Sequence, residues 1–360
     1  MLTHTYPLTH LYPNQHKCID THIHTYTNSN SNSHTNSLIL ACKSHINLIE
    51  RYILERYKTE RQYKMKALFL IVLFVVGASA YSKHNLTLVE VAKKYGFNTI
   101  VELGERAGLA HKLNESGEWT VFAPTERAFS DMGPFFLDML RNNSATLEVF
   151  LKYHVVQGKF MYKDLQKNDF ELTSLAGIKI RVNVYRANQI VTIEGCQLVN
   201  ADNVASNGIL HIINDVMLPP TDNLYETIKR IPRYSIMASL LKKSNLHKEL
   251  ENGPYTVFVP NNDAFHHFSN STLQRIENDG ALAEVLMKYH IVHGILWMAG
   301  MHTTYLQTLA EGDKLLITEG FFGTIKVEGA RIISRDIPAT NGVIHEISRM
   351  LKPKDVDLIS

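Results

Sequence analysis

The chain has 360 residues, of which 45% are hydrophobic and 20% are charged, a composition typical of globular proteins with two or three domains. Its 37 Lys and Arg residues against 35 Asp and Glu residues give a net charge of +2, which excludes a strongly basic nucleic-acid-binding protein and a strongly acidic tail. Three cysteines are too few for a disulfide-dense scaffold or a four-cysteine zinc module.

The first 64 residues differ in composition from the rest of the chain. They hold seven of the 18 histidines and two of the three cysteines, and their polar Thr-, Asn- and Ser-rich stretch has no helical or strand period. Such a segment is not expected to pack a core. Met65 and Lys66 are then followed by an apolar run over residues 67–76 and by small residues over 77–80. This order predicts a secretory signal peptide over residues 65–80.

Two interpretations of residues 1–64 remain open. In the first, Met65 is the functional start and residues 1–64 are a disordered or untranslated extension. In the second, a long cytoplasmic leader precedes a short signal anchor. The first is favoured because a signal peptide acts at the N-terminus and the apolar run is too short to span a bilayer comfortably. The sequence therefore predicts a secreted, extracellular protein.

The residues after the predicted signal peptide contain one unit that occurs twice. Three segments return in the same order: 119–124 (WTVFAP) as 255–260 (YTVFVP), 152–154 (KYH) as 288–290, and 207–211 (NGILH) as 341–345 (NGVIH). A repeat of about 135 residues is a whole domain rather than a solenoid unit. We therefore expect one domain over residues 82–219 and a second over residues 221–353, joined by a short, stiff proline-containing hinge.

Each copy is predicted to begin with a capped helix. Thr87 and Glu90 form a capping-box pattern before an amphipathic stretch that ends at Gly96, and Asn223 and Glu226 take the same place in the second copy. Another helix precedes each Lys-Tyr-His segment, because apolar residues three and four positions apart share one face there.

The later part of each copy is predicted to consist mainly of strands. The Thr-Val-Phe segment is a short buried strand that ends at proline. Ile178, Ile180, Val182 and Val184 alternate with other residues, as in a strand with one buried face. The closing Asn-Gly dipeptide indicates a turn before a last apolar strand. Helices followed by strands place both copies in the α+β class.

The repeated motifs resemble the successive signatures of the fasciclin domain. These are Thr-Val-Phe-x-Pro-x-x-x-Ala-Phe, the Tyr-His dipeptide and the closing Asn-Gly-x-x-His strand, and all three occur in order in both copies, over about residues 86–353. The resemblance implies two tandem fasciclin-like domains, each a β-wedge or sandwich flanked by helices. The family's best-known adhesion proteins have four copies and a cysteine-rich N-terminal module, so the simpler secreted members are the nearer comparison.

The resemblance also implies a function in cell adhesion or the extracellular matrix. Integrins or matrix components are the implied partners, without catalysis. Glycans are further candidate partners, and the residues themselves predict no cofactor, metal, nucleic acid or membrane anchor. A soluble carrier of a glycan or other ligand, without a cell receptor, is the alternative. An enzyme is the least favoured class, because the chain has no Gly-rich phosphate loop and no G-x-S-x-G motif.

An aspartate before each closing strand is the main candidate for partner binding. In the family's adhesion proteins an Asp-Ile pair just before an Ala-Thr-Asn-Gly stretch is implicated in integrin binding. The second copy matches with Asp336 and Ile337, whereas the first copy keeps Asp202 and has Asn203 in place of isoleucine. A carboxylate is a suitable ligand for the metal ion of an integrin. The favoured competing interpretation is structural: the aspartate begins a turn and the isoleucine packs in the core.

Histidines and tyrosines that occur in both copies are further candidates. The resemblance links to cell adhesion the region of the two Tyr-His pairs, namely Tyr153, His154, Tyr289 and His290. A two-histidine metal site in each domain is conceivable, with His211 and His345 of the closing strands as second ligands. Buried histidines that hydrogen-bond to the backbone explain the repetition more simply, because no cysteine or carboxylate recurs beside them at ligand spacing.

The sequence also contains candidate glycosylation sites and one isolated cysteine. Four Asn-x-Ser/Thr sequons predict glycosylation candidates in loops or at helix starts: Asn85, Asn114, Asn142 and Asn270. Cys196 is the only cysteine after the signal peptide and has no counterpart in the second copy. A buried apolar thiol is favoured over an intermolecular disulfide.

Overall fold

The structure is a computed structural model, and it describes residues 86–114, 117–266 and 268–358. The predicted extension (1–64), the predicted signal peptide (65–80) and Asn85 lie outside these residues, so their interpretation stays a prediction. Within the described ranges, no helix is both long enough and apolar enough to cross a bilayer.

The first copy places its helices around the start of the sheet and its remaining strands afterwards. The α-helices are α1 (Leu88–Lys94), α2 (Asn98–Arg106), α3 (Leu109–Asn114), α4 (Glu126–Met132), α5 (Pro134–Asn142) and α6 (Ser144–Tyr153). The strands are β1 (Trp119–Pro124), β2 (Val155–Gln157), β3 (Phe170–Thr173), β4 (Lys179–Tyr185), β5 (Ile190–Ile193), β6 (Cys196–Ala205) and β7 (Gly208–Ile213). A 3₁₀ turn, Tyr162–Leu165, connects β2 to β3.

The second copy repeats this order with small changes. Its α-helices are α7 (Leu224–Arg230), α8 (Ser235–Lys243), α9 (Leu246–Glu249), α10 (Asn270–Asn278) and α11 (Gly280–Tyr289). Its strands are β8 (Tyr255–Pro260), β9 (Ile291–His293), β10 (Thr304–Gln307), β11 (Lys314–Glu319), β12 (Ile325–Val327), β13 (Ala330–Ala339) and β14 (Gly342–Ile347). The 3₁₀ turn Met298–Gly300 takes the place of Tyr162–Leu165.

Both copies have the same sheet topology. The strand order is β2-β1-β7-β6-β5-β4-β3 in the first domain and β9-β8-β14-β13-β12-β11-β10 in the second. The first strand of each copy pairs in parallel with the last (β1 with β7, β8 with β14), and the other pairs are antiparallel. The predicted α+β class is confirmed, and the parallel pairing explains why the duplicated Thr-Val-Phe and Asn-Gly segments belong together although they are far apart in the chain.

The predicted helix starts are confirmed by the capping contacts. The Thr87 hydroxyl accepts the N–H of Glu90, and the Glu90 carboxylate accepts the N–H of Thr87 at 2.7 Å, which is a complete capping box. In the second copy the Asn223 side chain accepts the N–H of Glu226 at 2.9 Å. Gly96 follows α1 in the left-handed region with φ of +80°.

Each sheet separates two hydrophobic cores. Val121 and Ala123 of β1 face the helices, whereas Phe122 between them faces a second cluster among the outer strands. Val257, Val259 and Phe258 of β8 repeat this division. Alternation along one strand therefore serves two cores, as expected when both faces of a sheet are covered.

The Asn-Gly dipeptide does more than form the predicted turn before the last strand. In the second copy the Asn341 side chain accepts the N–H of Leu224 at 2.9 Å and donates to the carbonyl oxygen of Leu250 at 2.5 Å. Asn207 repeats both contacts in the first copy, with Leu88 and Leu113. The amide therefore ties the first helix of each domain to the closing strand.

Candidate partner-binding site

Asp336 and Asp202 lie at equivalent bends of the sheet. Both have a left-handed backbone, with φ of +56° and +59°, in strands (β13 and β6) whose pairing with the last strand is shifted by bulges. Aspartate is one of the few non-glycine residues that adopt this conformation readily. The predicted turn-like role of the aspartate is therefore present in both copies, inside a bulged strand.

The carboxylates of these two residues hold the 3₁₀ turns of their domains. The Oδ1 atom of Asp336 accepts the N–H of Met298 at 2.8 Å, and that of Asp202 accepts the N–H of Tyr162 at 2.7 Å. These N–H groups belong to the first residue of each turn, where a backbone donor has no partner inside the helix. The Asp336 side chain nevertheless keeps 26% of its surface exposed. It thus combines a structural bond with access to solvent.

A buried histidine lies behind each aspartate. The Nε2 atom of His345 is 2.8 Å from the carbonyl oxygen of Leu296, so Nε2 carries the proton and Nδ1 accepts the N–H of Asp336 at 3.3 Å. His211 makes the same pair of bonds in the first copy. Burial lowers the pKa of both histidines, although the charge of the adjacent aspartate opposes this effect. Both imidazoles are therefore neutral supports of the bend.

Ile337 is partly buried and packs against the helix-side core of the second domain. Its position in β13 pairs with Ile344 of β14, next to the turn formed by Thr340 and Asn341. The apolar side chain thus contributes to the core, and the carboxylate beside it is the more accessible member of the Asp-Ile pair.

The two Tyr-His pairs lie inside their domains. Tyr153 donates to the carbonyl oxygen of Lys179 at 3.2 Å, and Tyr289 donates to that of Lys314 at 3.3 Å. The exposed fractions of Tyr153 and Tyr289 are 0% and 3%. Burial raises the pKa of Tyr289 to about 12 and raises that of Tyr153 further.

His154 and His290 link the end of a helix to the segment after the last strand. The Nδ1 atom of His290 donates to the Leu286 carbonyl at 2.8 Å, and Nε2 accepts the N–H of Leu351 at 2.9 Å. His154 has equivalent partners in the first domain, the Phe150 carbonyl and the N–H of Met217. Burial lowers the pKa of both to about 4. These side chains are enclosed in the folded domain, so a direct contact with a partner would require the domain to open. Their part in partner binding stays a prediction.

The described part of the chain contains no cluster of metal-ligating side chains. No three His, Cys, Asp or Glu side chains converge there in an arrangement that could hold a metal ion. Cys196 lies in the strand-side core of the first domain with its thiol buried, and burial raises its pKa. Of the sequons, Asn142 and Asn270 have exposed side chains, whereas Asn85 and the side chain of Asn114 lie outside the described part.

The contact between the two domains was not predicted from the sequence. The Tyr185 hydroxyl, at the end of β4, accepts the N–H of Trp297 at 2.9 Å. The Trp297 indole N–H donates to the Asn183 side chain at 3.0 Å, and Asn188 donates to the Ala299 carbonyl at 3.0 Å. Trp297 is 1% exposed, so it is an anchor buried between the domains. The sequence feature that could have indicated this contact is Trp297, a large aromatic residue whose place in the first copy is taken by Met161.

A charged cleft opens beside this contact. It has a volume of about 540 Å³ and is lined by Lys179, Arg181 and Glu194 of the first domain and by Trp297 and Thr340 of the second. Burial raises the pKa of Glu194 to about 7, although its hydrogen bond from the Arg181 N–H favours the ionised form. The cleft combines charged side chains with an apolar lining and is large enough to admit a small ligand.

Comparisons with known proteins agree on one domain type. The family model of the fasciclin domain matches residues 95–219 and 232–353. The pig transforming growth factor-beta-induced protein ig-h3 is 32% identical over 255 residues, which are 68% of this chain and 36% of that protein. Human periostin is 26% identical over 262 residues, 72% of this chain and 31% of periostin. This chain therefore spans about a third of the length of these relatives.

Solved structures include a similar pair of domains. The FAS1 domain pair from the insect cell adhesion molecule fasciclin I covers 73% of this chain and 97% of that chain, with 18% sequence identity and a TM-score of 0.36.

Proposed function

Because this chain belongs to the fasciclin-domain family, we propose that it is a secreted protein of the extracellular matrix or cell surface that supports adhesion by binding other proteins. The observation that carries the proposal is the match of both copies to the family, together over most of the described residues. The polar residues that the copies share bind backbone groups within each domain, which suits a scaffold for binding surfaces better than a catalytic centre. Integrins and matrix proteins are the proposed partners.

We propose Asp336 as the contact residue for an integrin. Its Oδ1 atom is used by the N–H of Met298, but a quarter of the side chain is exposed, so a carboxylate oxygen remains available to a metal ion of the partner. Asp202 is the equivalent candidate in the first domain, without the following isoleucine. Tyr153, His154, Tyr289 and His290 would act indirectly, by fixing the domain conformation.

The substitution Asp336→Asn tests the charge without removing the structural bond. Asparagine tolerates the left-handed backbone, and its amide oxygen still accepts the N–H of Met298. We expect the variant to fold normally and to support cell attachment at least about tenfold less well, because bonds to charged groups contribute about 1.5–3 kcal/mol. Attachment of integrin-bearing cells to surfaces coated with the purified protein, with and without a chelator of divalent cations, is the measurement.

Two further variants make the attachment assay interpretable. Asp263→Asn removes an exposed carboxylate of the same domain and should leave attachment unchanged. Asp202→Asn measures how much of the cell attachment depends on the equivalent aspartate of the first domain. Equal attachment to Asp336→Asn and to the parent protein would eliminate Asp336 as the contact, and no attachment to the parent protein would overturn the adhesion proposal.

We also propose that the chain is exported and glycosylated. The exposed side chains of Asn142 and Asn270 support glycan attachment at these two sequons. Mass spectrometry of protein from the culture medium of expressing eukaryotic cells should find a mature N-terminus after residue 80 and a mass decrease on treatment with an N-glycosidase. Recovery of residues 1–64 on exported protein would contradict the proposed start at Met65.

A soluble ligand carrier is the second candidate function, and the cleft between the domains favours it. Its charged lining, with Lys179 and Glu194 on one side and Thr340 on the other, is suited to a small polar ligand such as an oligosaccharide. Native mass spectrometry and a glycan array distinguish the two functions. A defined ligand bound in the absence of cell attachment would support the carrier.

A further inference from the structure

A hairpin tip of the second domain exposes two adjacent phenylalanines. Phe321 and Phe322, between β11 and β12, are 92% and 104% exposed, and a glycine lies on each side of them. Single exposed apolar residues are common on soluble proteins, but two fully exposed aromatic rings at one protruding turn are typical of a contact site. The tip is therefore a candidate contact site, and the equivalent hairpin of the first domain indicates what it contacts.

The equivalent hairpin of the first domain makes the contact between the domains. The pairs Val182–Ile193 and Ile317–Val327 occupy the same place in the two sheets, so the β4–β5 hairpin corresponds to the β11–β12 hairpin. The β4–β5 hairpin places Tyr185 and Asn188 on the segment Trp297–Ala299 of the next domain. The hairpin that carries the phenylalanines is thus the one that binds a following domain.

The surface that corresponds to Trp297–Ala299 in the first domain is the segment Met161–Lys163. The correspondence is fixed by matching bonds, since Phe160 donates its N–H to Thr120 as Leu296 does to Thr256. This segment is accessible in part: the Tyr162 side chain is 39% exposed. The equivalent segment of the second domain, Trp297–Ala299, is covered by the β4–β5 hairpin of the first domain.

The two hairpins differ in whether they offer a hydroxyl, and the two receiving segments differ in whether their first backbone N–H needs an acceptor from another domain. The Trp297 N–H is accepted by the Tyr185 hydroxyl of the neighbouring domain, but the Met161 N–H is already accepted by Asp164 of its own domain at 3.0 Å. Correspondingly, Gly320 stands three residues after Ile317, where Tyr185 stands three residues after Val182. Gly320 of the second-domain hairpin thus supplies no hydroxyl, and the Met161 N–H needs no hydroxyl from a neighbour because Asp164 already accepts it.

The chemistry of both surfaces then favours an apolar contact with a charged border. The tip offers the rings of Phe321 and Phe322, and the Met161–Lys163 segment offers the partly exposed Met161 and the exposed Tyr162. Lys163, the exposed last residue of that segment, has the charge opposite to that of Glu319 beside the tip, while the carboxylates of Asp164 and Asp202 at the segment are bonded to its own backbone N–H groups.

We propose that the Phe321–Phe322 tip binds the Met161–Lys163 segment of a second copy of this chain, so that the protein associates head to tail. Because the two surfaces are different patches of one molecule, the contact is heterologous and leaves a free tip and a free receiving segment at the ends. Repetition of such a contact gives open chains, or rings where the rotation closes, and not two-fold symmetric dimers. The small contact area places the association among weak interfaces, which form at high local concentration.

Sedimentation equilibrium of the purified full chain tests this association. We expect the weight-average mass to rise continuously above the mass of one purified chain, measured by mass spectrometry, as the concentration approaches about 1 mM. The double substitution Phe321→Ser with Phe322→Ser should keep the protein monomeric. Phe135→Ser is the matched control, since this phenylalanine is 84% exposed on the first domain and should leave the association unchanged.

A charge exchange tests the pairing of the two surfaces. Glu319→Lys and Lys163→Glu should each weaken association severalfold, and the combined variant should recover most of the loss. A parent protein that remains monomeric throughout the concentration range overturns the proposal, as does undiminished association of the double serine variant. Binding of phosphatidylcholine vesicles by a monomeric protein, lost in the double serine variant, would instead identify a lipid surface as the occupant.

Discussion

Buried histidines make the stability of the protein depend on pH at the scale of single residues. The pKa of His154 and His290 is about 4 in the folded domains, against about 6.5 in an unfolded chain. The unfolded chain therefore binds protons more strongly between these values, and stability that is present above pH 6.5 is lost as the pH falls toward 4. Each histidine accounts for up to about 3 kcal/mol over this window.

Glu194 acts in the opposite direction. Its pKa of about 7 in the folded state lies above the ordinary value of 4.5, so the folded protein binds a proton more strongly between pH 7 and 4.5. Protonation of this carboxyl stabilises the folded state as the pH falls, which offsets about one histidine. His211 and His345, whose pKa values are also lowered by burial, add to the loss of stability. Together these groups give a net loss of folding stability as the pH falls into the weakly acidic range.

We predict that the free energy of unfolding decreases between pH 7 and pH 5, and that single substitutions change the slope in opposite directions. His290→Gln should make the slope shallower, because one proton uptake is removed. Glu194→Gln should make it steeper, because the compensating protonation is lost. Urea denaturation at several pH values measures these slopes, and a free energy that is constant over this range in the parent protein contradicts the assignment.

The repeated residues could be found from the sequence, but their roles only in part. Recurrence identified the histidines and aspartates, because the same bond partners are needed in each copy. A motif does not state whether its carboxylate is exposed to solvent or bonded to a backbone donor; the Asp336 carboxylate accepts the N–H of Met298 and remains partly exposed. That distinction depends on a residue 38 positions away in the chain.

At the scale of elements, the sequence predicted the helix start, the strand end and the turn, but it did not predict which strands pair. The capping pattern at Thr87, the strand that ends at Pro124 and the turn at Asn207 all predicted elements that the structure contains. The strand order and the bulges at Asp202 and Asp336 could not be read in the same way, because they depend on contacts between distant segments. A bulge is visible only when the partner strand is known.

The glycine after each closing turn permits the parallel pair of strands to approach. A Cβ atom on Gly342 would lie 2.3 Å from the carbonyl oxygen of Tyr255, and one on Gly208 would lie 2.2 Å from that of Trp119. Both obstacles are backbone atoms of the first strand, which cannot move aside without separating β8 from β14, or β1 from β7. The Asn-Gly dipeptide is thus required by two elements at once.

We predict that Gly342→Ala destabilises the second domain by about 3 kcal/mol or more, in the range of overpacked and strained sites. Gly280→Ala is the control, because a Cβ atom there meets no atom within 4 Å and the residue lies in the first turn of α11. It should leave stability unchanged or raise it by a few tenths of a kcal/mol. Thermal denaturation followed by circular dichroism compares the two. Similar midpoints for both variants would show that the strands can move apart at little cost.

At the scale of the whole molecule, duplication was predictable and the joint between the copies was not. A comparison of the copies detects what they share, but the joint is made by residues that they do not share. Trp297 corresponds to Met161, and Tyr185 corresponds to Gly320. Large aromatic residues that break a repeated pattern are therefore candidates for contacts between domains, and the same rule identifies Phe321 and Phe322 as candidates for contacts between chains.

The Tyr185 hydroxyl is predicted to couple the unfolding of the two domains. Tyr185→Phe keeps the ring that packs against Gly300 but removes the acceptor of the Trp297 N–H, at a cost of about 1–3 kcal/mol for an unsatisfied buried donor. Because the chain has two tryptophans, Trp119→Phe makes fluorescence specific to Trp297. In that background we expect Tyr185→Phe to shift the Trp297 emission to longer wavelength at a lower urea concentration than the loss of circular dichroism. Tyr305→Phe, which removes a hydroxyl from a side chain 65% exposed, should keep the two transitions together. Coincident transitions in Tyr185→Phe as well would mean that packing of Trp297 alone joins the domains.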